Sequence, residues 1–330
     1  MRTLTPILIL GGLAALAGGC TQDAPAAPPA LFATARLVED LPVTPAGERY
    51  AGAVFAPDGR RRALGVAGLG AIDVVDLGSG AVARLVTAER AGYRFAWTSD
   101  GQALVHRDGE RRLARTALDG RSAVLYEDGA AGQVGFPAVD RAGRVLFGAA
   151  GRVRAAAGDL GHDVAHGGLV TVTAAAAPRL AGWDGARIFA VDLDTGVRRT
   201  LLEGPGFFDV ELSRDGALAL VRESRERDGH LWLAATDGSS RRDLGVGWGG
   251  RLAPDGRRVV FVLQENDGVR FTAADLYLAD VAGGRAVRLT ATPDVLEIEP
   301  AFAPDGARLA YVDAATGRVH VARLVTEVRR

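Results

Sequence analysis

Short stretches of alternating apolar and polar residues recur along this chain, each bounded by glycine, proline or aspartate. In FAPDGRRRALGV, which starts at Phe55, one apolar strand ends at a Pro-Asp-Gly turn and a second strand leaves it. Alternation with a period of two predicts β-strands, and no long stretch past residue 30 has the 3.6-residue period of a helix. The chain is therefore predicted to be all-β from residue 31 to residue 330.

The Pro-Asp-Gly turn recurs, with variations, at intervals close to forty residues. Proline presets φ, aspartate bonds its own backbone, and glycine takes the positive φ of a tight turn. The turn glycines are Gly59, Gly101, Gly143, Gly216, Gly256 and Gly306. They lie 42, 42, 73, 40 and 50 residues apart, and the interval of 73 is close to two periods, which predicts a degenerate turn near residues 176–178. The sequence thus predicts seven repeats, with six or eight as the alternatives.

A second hairpin follows several of these turns, as in IFAVDLDTGVRRTLL from Ile188. Each repeat then holds four short antiparallel strands, and a radial array of such blades is a β-propeller. The last repeat stops after a strand at residues 319–325, so its outermost strand is missing. We expect the N-terminal segment 31–40 to supply that strand, with residues 33–38 antiparallel to residues 319–325, because an open sheet edge favours unwanted pairing.

The turn with its alternating strand, the D-L-D-x-G hairpin and the R-x-L-T ending of a repeat resemble the TolB-like propellers, which are relatives of WD-repeat proteins. The resemblance covers about residues 31–330. It implies a propeller of four-stranded blades. TolB itself has six blades, whereas seven repeats are predicted here, so the resemblance extends to the repeat chemistry and not to the partners of TolB.

The N-terminus has the pattern of an export signal. Arg2 is followed by an apolar run at residues 4–17, too short to span a membrane, and then by small residues and Cys20, the one cysteine of the chain. This segment resembles the bacterial lipoprotein signal, which implies cleavage before Cys20 and its acylation by chains such as palmitate. The leucine usual three places before the cysteine stands one place early, at Leu16. The alternative is an ordinary signal peptide with an incidental cysteine.

Three segments follow from this interpretation: a signal peptide with acylated Cys20 (1–20), a flexible tether rich in proline and alanine (21–30), and the propeller domain (31–330). The predicted location is the membrane surface facing the periplasm. By the rule of the lipoprotein family, Thr21 in place of aspartate after the cysteine implies transport to the outer membrane, if the organism has one.

Composition and charge narrow the possible partners. The chain of 330 residues has 48% hydrophobic residues, as expected for a globular protein, a net charge of -1 and only 6% aromatic residues. No basic excess is present to neutralise phosphates, so nucleic acid is not expected as a partner. We expect a monomer that needs no cofactor.

Motifs for catalysis or metal binding are weak. Ser79 lies in a hairpin turn and lacks the glycines of a nucleophile elbow, and after the blades no residues remain for a hydrolase domain. His162 and His166 have metal-ligand chemistry but no accompanying ligand cluster, which favours a polar strand or loop. Residues 192–196 and 265–268 resemble calcium loops without the full ligand set, so both are interpreted as turns. We therefore predict no metal site.

The strands that line the channel suggest one candidate ligand site. Counted back from each turn, the position three before Phe302 is Glu299, and its counterparts include Arg94 and Asp209. These positions should face the channel or its mouth, because side chains alternate along a strand. The predicted ligand-binding residues are Arg94, Asp209, Glu297 and Glu299, with Tyr93, Phe207 and Trp248 nearby. The alternative is a water-filled channel whose charges only satisfy one another.

The face of the propeller opposite the Pro-Asp-Gly turns is predicted to carry two long inserted loops, at residues 222–229 and 264–274. Loops on a rigid scaffold often carry function. The sequence favours a non-catalytic protein of the cell envelope that binds a protein, a peptide or a glycan. The alternative is a propeller-type lyase or lactonase that acts at the mouth of the channel.

Overall fold

A computed structural model describes most of the predicted propeller. The described residues are 32–129, 133–155, 158–163, 170–173, 178–225, 228–267, 271–283 and 286–327. Within these ranges the chain forms twenty-eight β-strands in seven four-stranded sheets, and none of the assigned elements is a helix. A helix long and apolar enough to cross a membrane is not found among these residues. Cys20 and the predicted tether 21–30 lie outside the described ranges.

The first strand, β1, belongs to the last blade, and the other strands fill the blades in chain order. β1 spans Thr34–Pro42. Blade 1 consists of β2 (Tyr50–Phe55), β3 (Arg61–Val66), β4 (Ala71–Asp76) and β5 (Val82–Thr87). Blade 2 consists of β6 (Ala96–Trp97), β7 (Ala103–Asp108), β8 (Arg112–Ala117) and β9 (Ser122–Glu127). Blade 3 consists of β10 (Ala138–Val139), β11 (Val145–Ala149), β12 (Arg152–Ala155) and β13 (Gly158–Asp163).

The remaining blades follow the same order, from the innermost strand outward. Blade 4 consists of β14 (Val170–Val172), β15 (Arg179–Trp183), β16 (Arg187–Asp192) and β17 (Arg198–Glu203). Blade 5 consists of β18 (Phe207–Leu212), β19 (Leu218–Arg225), β20 (Asp228–Ala235) and β21 (Arg241–Val246). Blade 6 consists of β22 (Trp248–Leu252), β23 (Arg258–Asn266), β24 (Phe271–Asp280) and β25 (Val287–Arg288). Blade 7 consists of β26 (Glu297–Phe302), β27 (Arg308–Asp313), β28 (Val319–Glu327) and β1.

Six of the seven blades have the predicted turn between their first and second strands. In blade 1 the amide of Gly59 donates to the carbonyl of Ala56 at 2.9 Å, and Asp58 Oδ1 accepts from the amide of Arg60 at 2.9 Å. Gly59 has a φ of +68°, which a residue with a Cβ adopts only at a cost. The fourth blade is present as predicted, although residues 174–177 of its turn lie outside the described ranges. The sequence prediction of seven blades is confirmed.

The N-terminal strand closes the ring. β1 pairs antiparallel with β28 on the outer edge of blade 7, with Leu37 opposite Leu324 and Thr34 opposite Glu327. This confirms the predicted antiparallel pairing of the two terminal segments, although the register differs from the predicted pairing of residues 33–38 with residues 319–325. Residues 34–38 lie opposite residues 323–327, and residues 41–42 lie opposite residues 320–321. Phe32, just before β1, is only 3% exposed and packs in the core between blades 6 and 7. The closing strand is therefore held both by hydrogen bonds and by burial of apolar surface.

The two predicted inserted loops are instead extensions of β-hairpins, so that prediction is wrong. β19 and β20 stay paired from Leu218 opposite Ala235 to Arg225 opposite Asp228. β23 and β24 stay paired as far as Asn266 opposite Phe271. Charged and polar residues suggested loops, but residues on an exposed hairpin can be polar on both faces while the backbone ladder continues. The hairpins of blades 5 and 6 thus protrude as paired strands.

Candidate functional site

In four blades the backbone is irregular at the repeat position that includes Glu299, in the innermost strand or just before it. Gly52, Arg94, Gly249 and Glu299 have φ values of +78°, +55°, +58° and +51°. The pairing shifts register at this point in blades 1, 6 and 7. An extra residue in one strand is a β-bulge, which redirects the side chains around it. For Arg94 and Glu299 the left-handed backbone costs about 1–2 kcal/mol each, a kind of strain that clusters at functional sites.

A cavity of about 650 Å³ lies in the channel beside these bulges, against the innermost strands of blades 1, 6 and 7. It brings together five of the seven predicted ligand-binding residues, namely Tyr93, Arg94, Asp209, Trp248 and Glu299. Their role in binding stays a prediction. A neighbouring cavity of about 320 Å³ is lined by blades 3 and 4, and it also contacts Arg94 and Asp209.

Phe207 and Glu297 do not line these cavities, so their predicted placement is wrong. Strict alternation along the two strands predicts that both side chains face the channel, but each strand contains a bulge. The shift between Phe207 and Asp209 turns Phe208 toward the cavity and leaves Phe207 in the core, 6% exposed. Glu297 is fully buried and accepts a hydrogen bond from Thr292. Burial raises the pKa of Glu297.

A network of charged residues crosses the channel from Asp209. Arg94 donates from Nη1 to Asp209 Oδ1 at 3.0 Å and from Nη2 to Asp209 Oδ2 at 2.7 Å. Arg222 also donates to Asp209, and its Nη2 lies 3.1 Å from Glu211 Oε2. The side chains of Asp209 and Arg222 are only 4% and 6% exposed. These charges are therefore desolvated and compensate one another.

The network shifts the pKa values of Asp209 and Arg94 away from neutral pH. Burial alone would raise the pKa of Asp209, but Arg222 and Arg94 lower it to well below its ordinary value. Burial opposes the charge of Arg94 as well, yet its hydrogen bonds to Asp209 raise the pKa of the guanidinium. Both groups stay charged throughout the physiological range. They can orient a ligand, but neither is matched to proton transfer near pH 7.

Aromatic side chains surround the mouth of the cavity. Tyr93 is 42% exposed and Phe208 is 39% exposed, which is high for large apolar rings. Tyr93 packs edge-on against Phe136 with ring centroids 5.2 Å apart, and the guanidinium of Arg94 lies 5.5 Å from the Phe136 ring. Glu299 is exposed at the same mouth, close to Gly52. The arrangement offers apolar contact area beside charges fixed in place.

Sequence reasoning missed Arg222, Glu211 and Phe208 as members of this site. A signal for Arg222 was available: Asp209 and Arg222 stand at similar distances on either side of the turn at Gly216, and they are direct partners in the β18–β19 pairing. Glu211 lies two residues beyond Asp209 on the same strand, which places both on one face. Phe208 carried no signal because a bulge exposes it.

The sequence singled out His162 and His166 for their metal-ligand chemistry. His162 lies in β13, whereas His166 lies outside the described residues. In the part of the chain that the structure describes, no group of three or more His, Cys, Asp or Glu residues is arranged to hold a metal ion.

Comparisons with known proteins identify the fold. No protein-family model matches the sequence, and no curated protein sequence matches it. Among solved structures, an oligogalacturonate lyase in complex with manganese has a TM-score of 0.63 at 15% identity, covering 90% of this chain and 97% of the lyase. The Cps50 (Swd1) β-propeller domain of Myceliophteria thermophila has a TM-score of 0.63 at 14% identity, covering 88% and 100%. A putative TolB from Agrobacterium tumefaciens has a TM-score of 0.51 at 16% identity, covering 89% and 98%.

These similarities show the fold and not the activity, because the same scaffold carries unrelated functions. The chain has the TolB-like, WD-repeat-like β-propeller fold, here with seven blades.

Proposed function

We propose that this chain is a lipid-anchored, extracytoplasmic β-propeller that binds a protein or peptide partner at the mouth of its channel, without catalysis. The exposed aromatic rim carries the proposal: Tyr93 and Phe208 stand beside a cavity of about 650 Å³. Aromatic residues at the centre of a concave surface are typical anchors of protein interfaces. A rigid ring of seven blades holds that rim in place before the partner arrives.

The state of the charged groups supports binding over catalysis. Arg94 and Arg222 are both paired with Asp209, and the pKa of Asp209 is held low while that of Arg94 is held high. Groups that keep their charge at every physiological pH can fix the orientation of a partner. A glycan partner fits less well, because a sugar needs free donors and acceptors for its hydroxyl groups, and these polar groups are already engaged.

A crosslinking pull-down from the native membrane tests the proposal. Phe208→Ala and Trp248→Ala should each reduce the captured partner at least about tenfold, since each removes an anchor-sized apolar contact. Val124→Ala is the matched control, because Val124 is 53% exposed on the outer strand of blade 2, away from the cavity. Unchanged capture by the two folded cavity variants would overturn the proposed site.

The membrane anchor belongs to the same proposal and is tested separately. Cys20→Ser should move the protein from the membrane to the soluble fraction, because the acylated residue is lost. Thr21→Ser is the control, since it keeps the cysteine and should keep the protein on the membrane. Membrane retention of Cys20→Ser would contradict the lipid anchor.

A lyase or lactonase acting at the channel mouth is the alternative, supported only by the shared fold of the lyase among the similar structures. Such enzymes would need convergent histidine, carboxylate and metal groups. Metal analysis of the purified protein separates the two functions, because a stoichiometric metal would favour the enzyme.

A further inference from the structure

A separate cavity of about 600 Å³ opens beside the channel mouth, among residues of blades 1 and 2 and the segment that leads into blade 3. Leu69 and Tyr93 line both this cavity and the larger one in the channel. The two cavities are therefore adjacent, with these side chains between them. A ligand in the channel mouth has the second cavity within reach.

Arg107 is the unusual residue of this second cavity. It is only 8% exposed, its guanidinium stacks 4.5 Å from the centre of the Phe136 ring, and Nε is buried without a hydrogen-bond partner. No carboxylate among the described residues pairs with it. A buried charge of this kind is costly unless something compensates it.

The other cation of the cavity is already neutralised. Arg90 Nη2 lies 2.6 Å from Glu110 Oε1, and Arg90 Nε lies 3.7 Å from Glu89 Oε1. Buried Arg222 of the channel likewise has carboxylate partners. Of the described arginines in these two cavities, Arg107 thus has no carboxylate in direct contact. Glu110 acts on its charge only from a longer distance and is itself paired with Arg90.

Backbone strain is concentrated at the same place. Six described residues other than glycine have positive φ, and four of them line one of these two cavities: Leu69, Arg90, Arg94 and Glu299. The tight hairpin turn that contains Leu69 accounts for that residue, but Arg90 lies in the connection between blades. Strain of this kind persists where the surroundings hold a site in one shape.

We propose that the Arg107 cavity binds a carboxylate group of the peptide partner, while an apolar side chain of the same segment enters the adjacent channel mouth. This inference rests on the proposed function. A carboxylate matches the planar guanidinium and would supply the direct counter-charge that no described carboxylate provides. A peptide is favoured over an acidic sugar because the adjoining cavity is walled by rings such as Phe55, Phe208 and Trp248, whose surface suits an apolar side chain.

Small probes test the cavity without knowledge of the partner. The probe is acetyl-glutamate N-methylamide, and its neutral glutamine analogue at equal ionic strength is the control ligand. We expect the glutamate probe alone to bind in calorimetry and to raise the melting temperature of the full domain by about 2 °C at saturating concentration. Arg107→Met should weaken its binding at least about tenfold.

Arg62→Met is the matched control protein. Arg62 is also fully buried, stacks 4.2 Å from the centre of the Phe55 ring and has no hydrogen-bond partner, but it does not line the Arg107 cavity. Arg62→Met should bind the glutamate probe with the same affinity as the wild-type protein. If Arg107→Met does not fold, Arg107→Gln removes the charge while keeping an N–H donor.

The outcomes separate the two proposals. Equal probe binding by the wild type and the Arg107 variants, or no binding by the wild type, would overturn the carboxylate site. Tighter binding of galacturonate than of the glutamate probe would overturn the choice of a peptide. Partner capture that still depends on Phe208 and Trp248 would show that the proposed function stands even where the carboxylate site fails.

Discussion

Arg94 and Asp209 form a doubly hydrogen-bonded ion pair across the channel, at 3.0 Å and 2.7 Å, between the start of blade 2 and the innermost strand of blade 5. The pair lines both channel cavities and stands between them. A channel bridged in this way offers two unequal compartments instead of one open passage.

The Arg94–Asp209 pair should make the free energy of unfolding depend on pH in the acid range. The folded-state pKa of Asp209 is below the unfolded value of about 3.9, so its contribution is complete above that value and is lost as pH falls below it. At neutral pH, Asp209→Asn should lower the free energy of unfolding by about 3–5 kcal/mol, because Arg222 loses its main counter-charge. Urea titrations from neutral to acid pH should show this difference shrinking below about pH 4. Asp294→Asn, in an exposed loop, is the control, and parallel curves for wild type and Asp209→Asn would contradict the prediction.

Replacing Arg62 should stabilise the protein. Burial lowers the pKa of Arg62 to about 9, so the guanidinium is still charged at pH 7, where it stacks on Phe55 without a hydrogen-bond partner. Arg62→Met should raise the free energy of unfolding by about 1–2 kcal/mol in chemical denaturation. Arg222→Met should do the opposite, since it leaves Asp209 and Glu211 without their partner. A loss of stability in Arg62→Met would mean that buried water or another group compensates the charge.

Ring closure should depend on one aromatic anchor. Phe32→Ala should lower the free energy of unfolding by about 3–5 kcal/mol, because the ring is 97% buried beside blades 6 and 7 and its loss leaves a cavity. Leu41→Ala, in β1 itself but 64% exposed, should change the free energy of unfolding by less than about 0.5 kcal/mol. Thermal denaturation of the two variants measures the difference. Equal stability of both would show that β1 is held by its hydrogen bonds alone.

At the bulge position of blade 6, any residue other than glycine should lower the free energy of unfolding. Gly249 has a φ of +58°, and an added Cβ would lie 3.6 Å from Pro300, an ordinary contact. Gly249→Ala should therefore cost about 1–2 kcal/mol from backbone strain alone. Gly129→Ala, where φ is not positive and the space is open, should be neutral or slightly stabilising. Urea denaturation compares them, and a neutral Gly249→Ala would show that the backbone can leave the left-handed region.

The sequence predicted the fold well because its signals are local. Each turn at a residue such as Gly59 needs only its own proline, aspartate and glycine, and the alternation beside it is read over a few residues. The missing strand after β28 was visible for the same reason, as a repeat that ended one strand early. Period and turn chemistry together therefore predicted the blade number and the closure.

The site was harder to predict from the sequence because it depends on bulges and on residue pairs that are distant in sequence. One extra residue at Phe208 reverses which of two adjacent phenylalanines faces the channel. That Arg107 has no carboxylate in direct contact depends on residues from several blades, and no local sequence pattern records that. Composition alone does not distinguish polar hairpins such as β19–β20 from loops, because both are rich in charged and polar residues.

The closing strand β1 also determines how the domain responds to force. Because β1 is the first of the twenty-eight strands in chain order, tension applied at Phe32 enters the fold through the pairing of β1 with β28. A pull along the strand loads all hydrogen bonds between β1 and β28 together, whereas a pull outward from blade 7 breaks them one at a time, beginning where Thr34 faces Glu327. The strand that completes the propeller would thus set the force at which the ring opens.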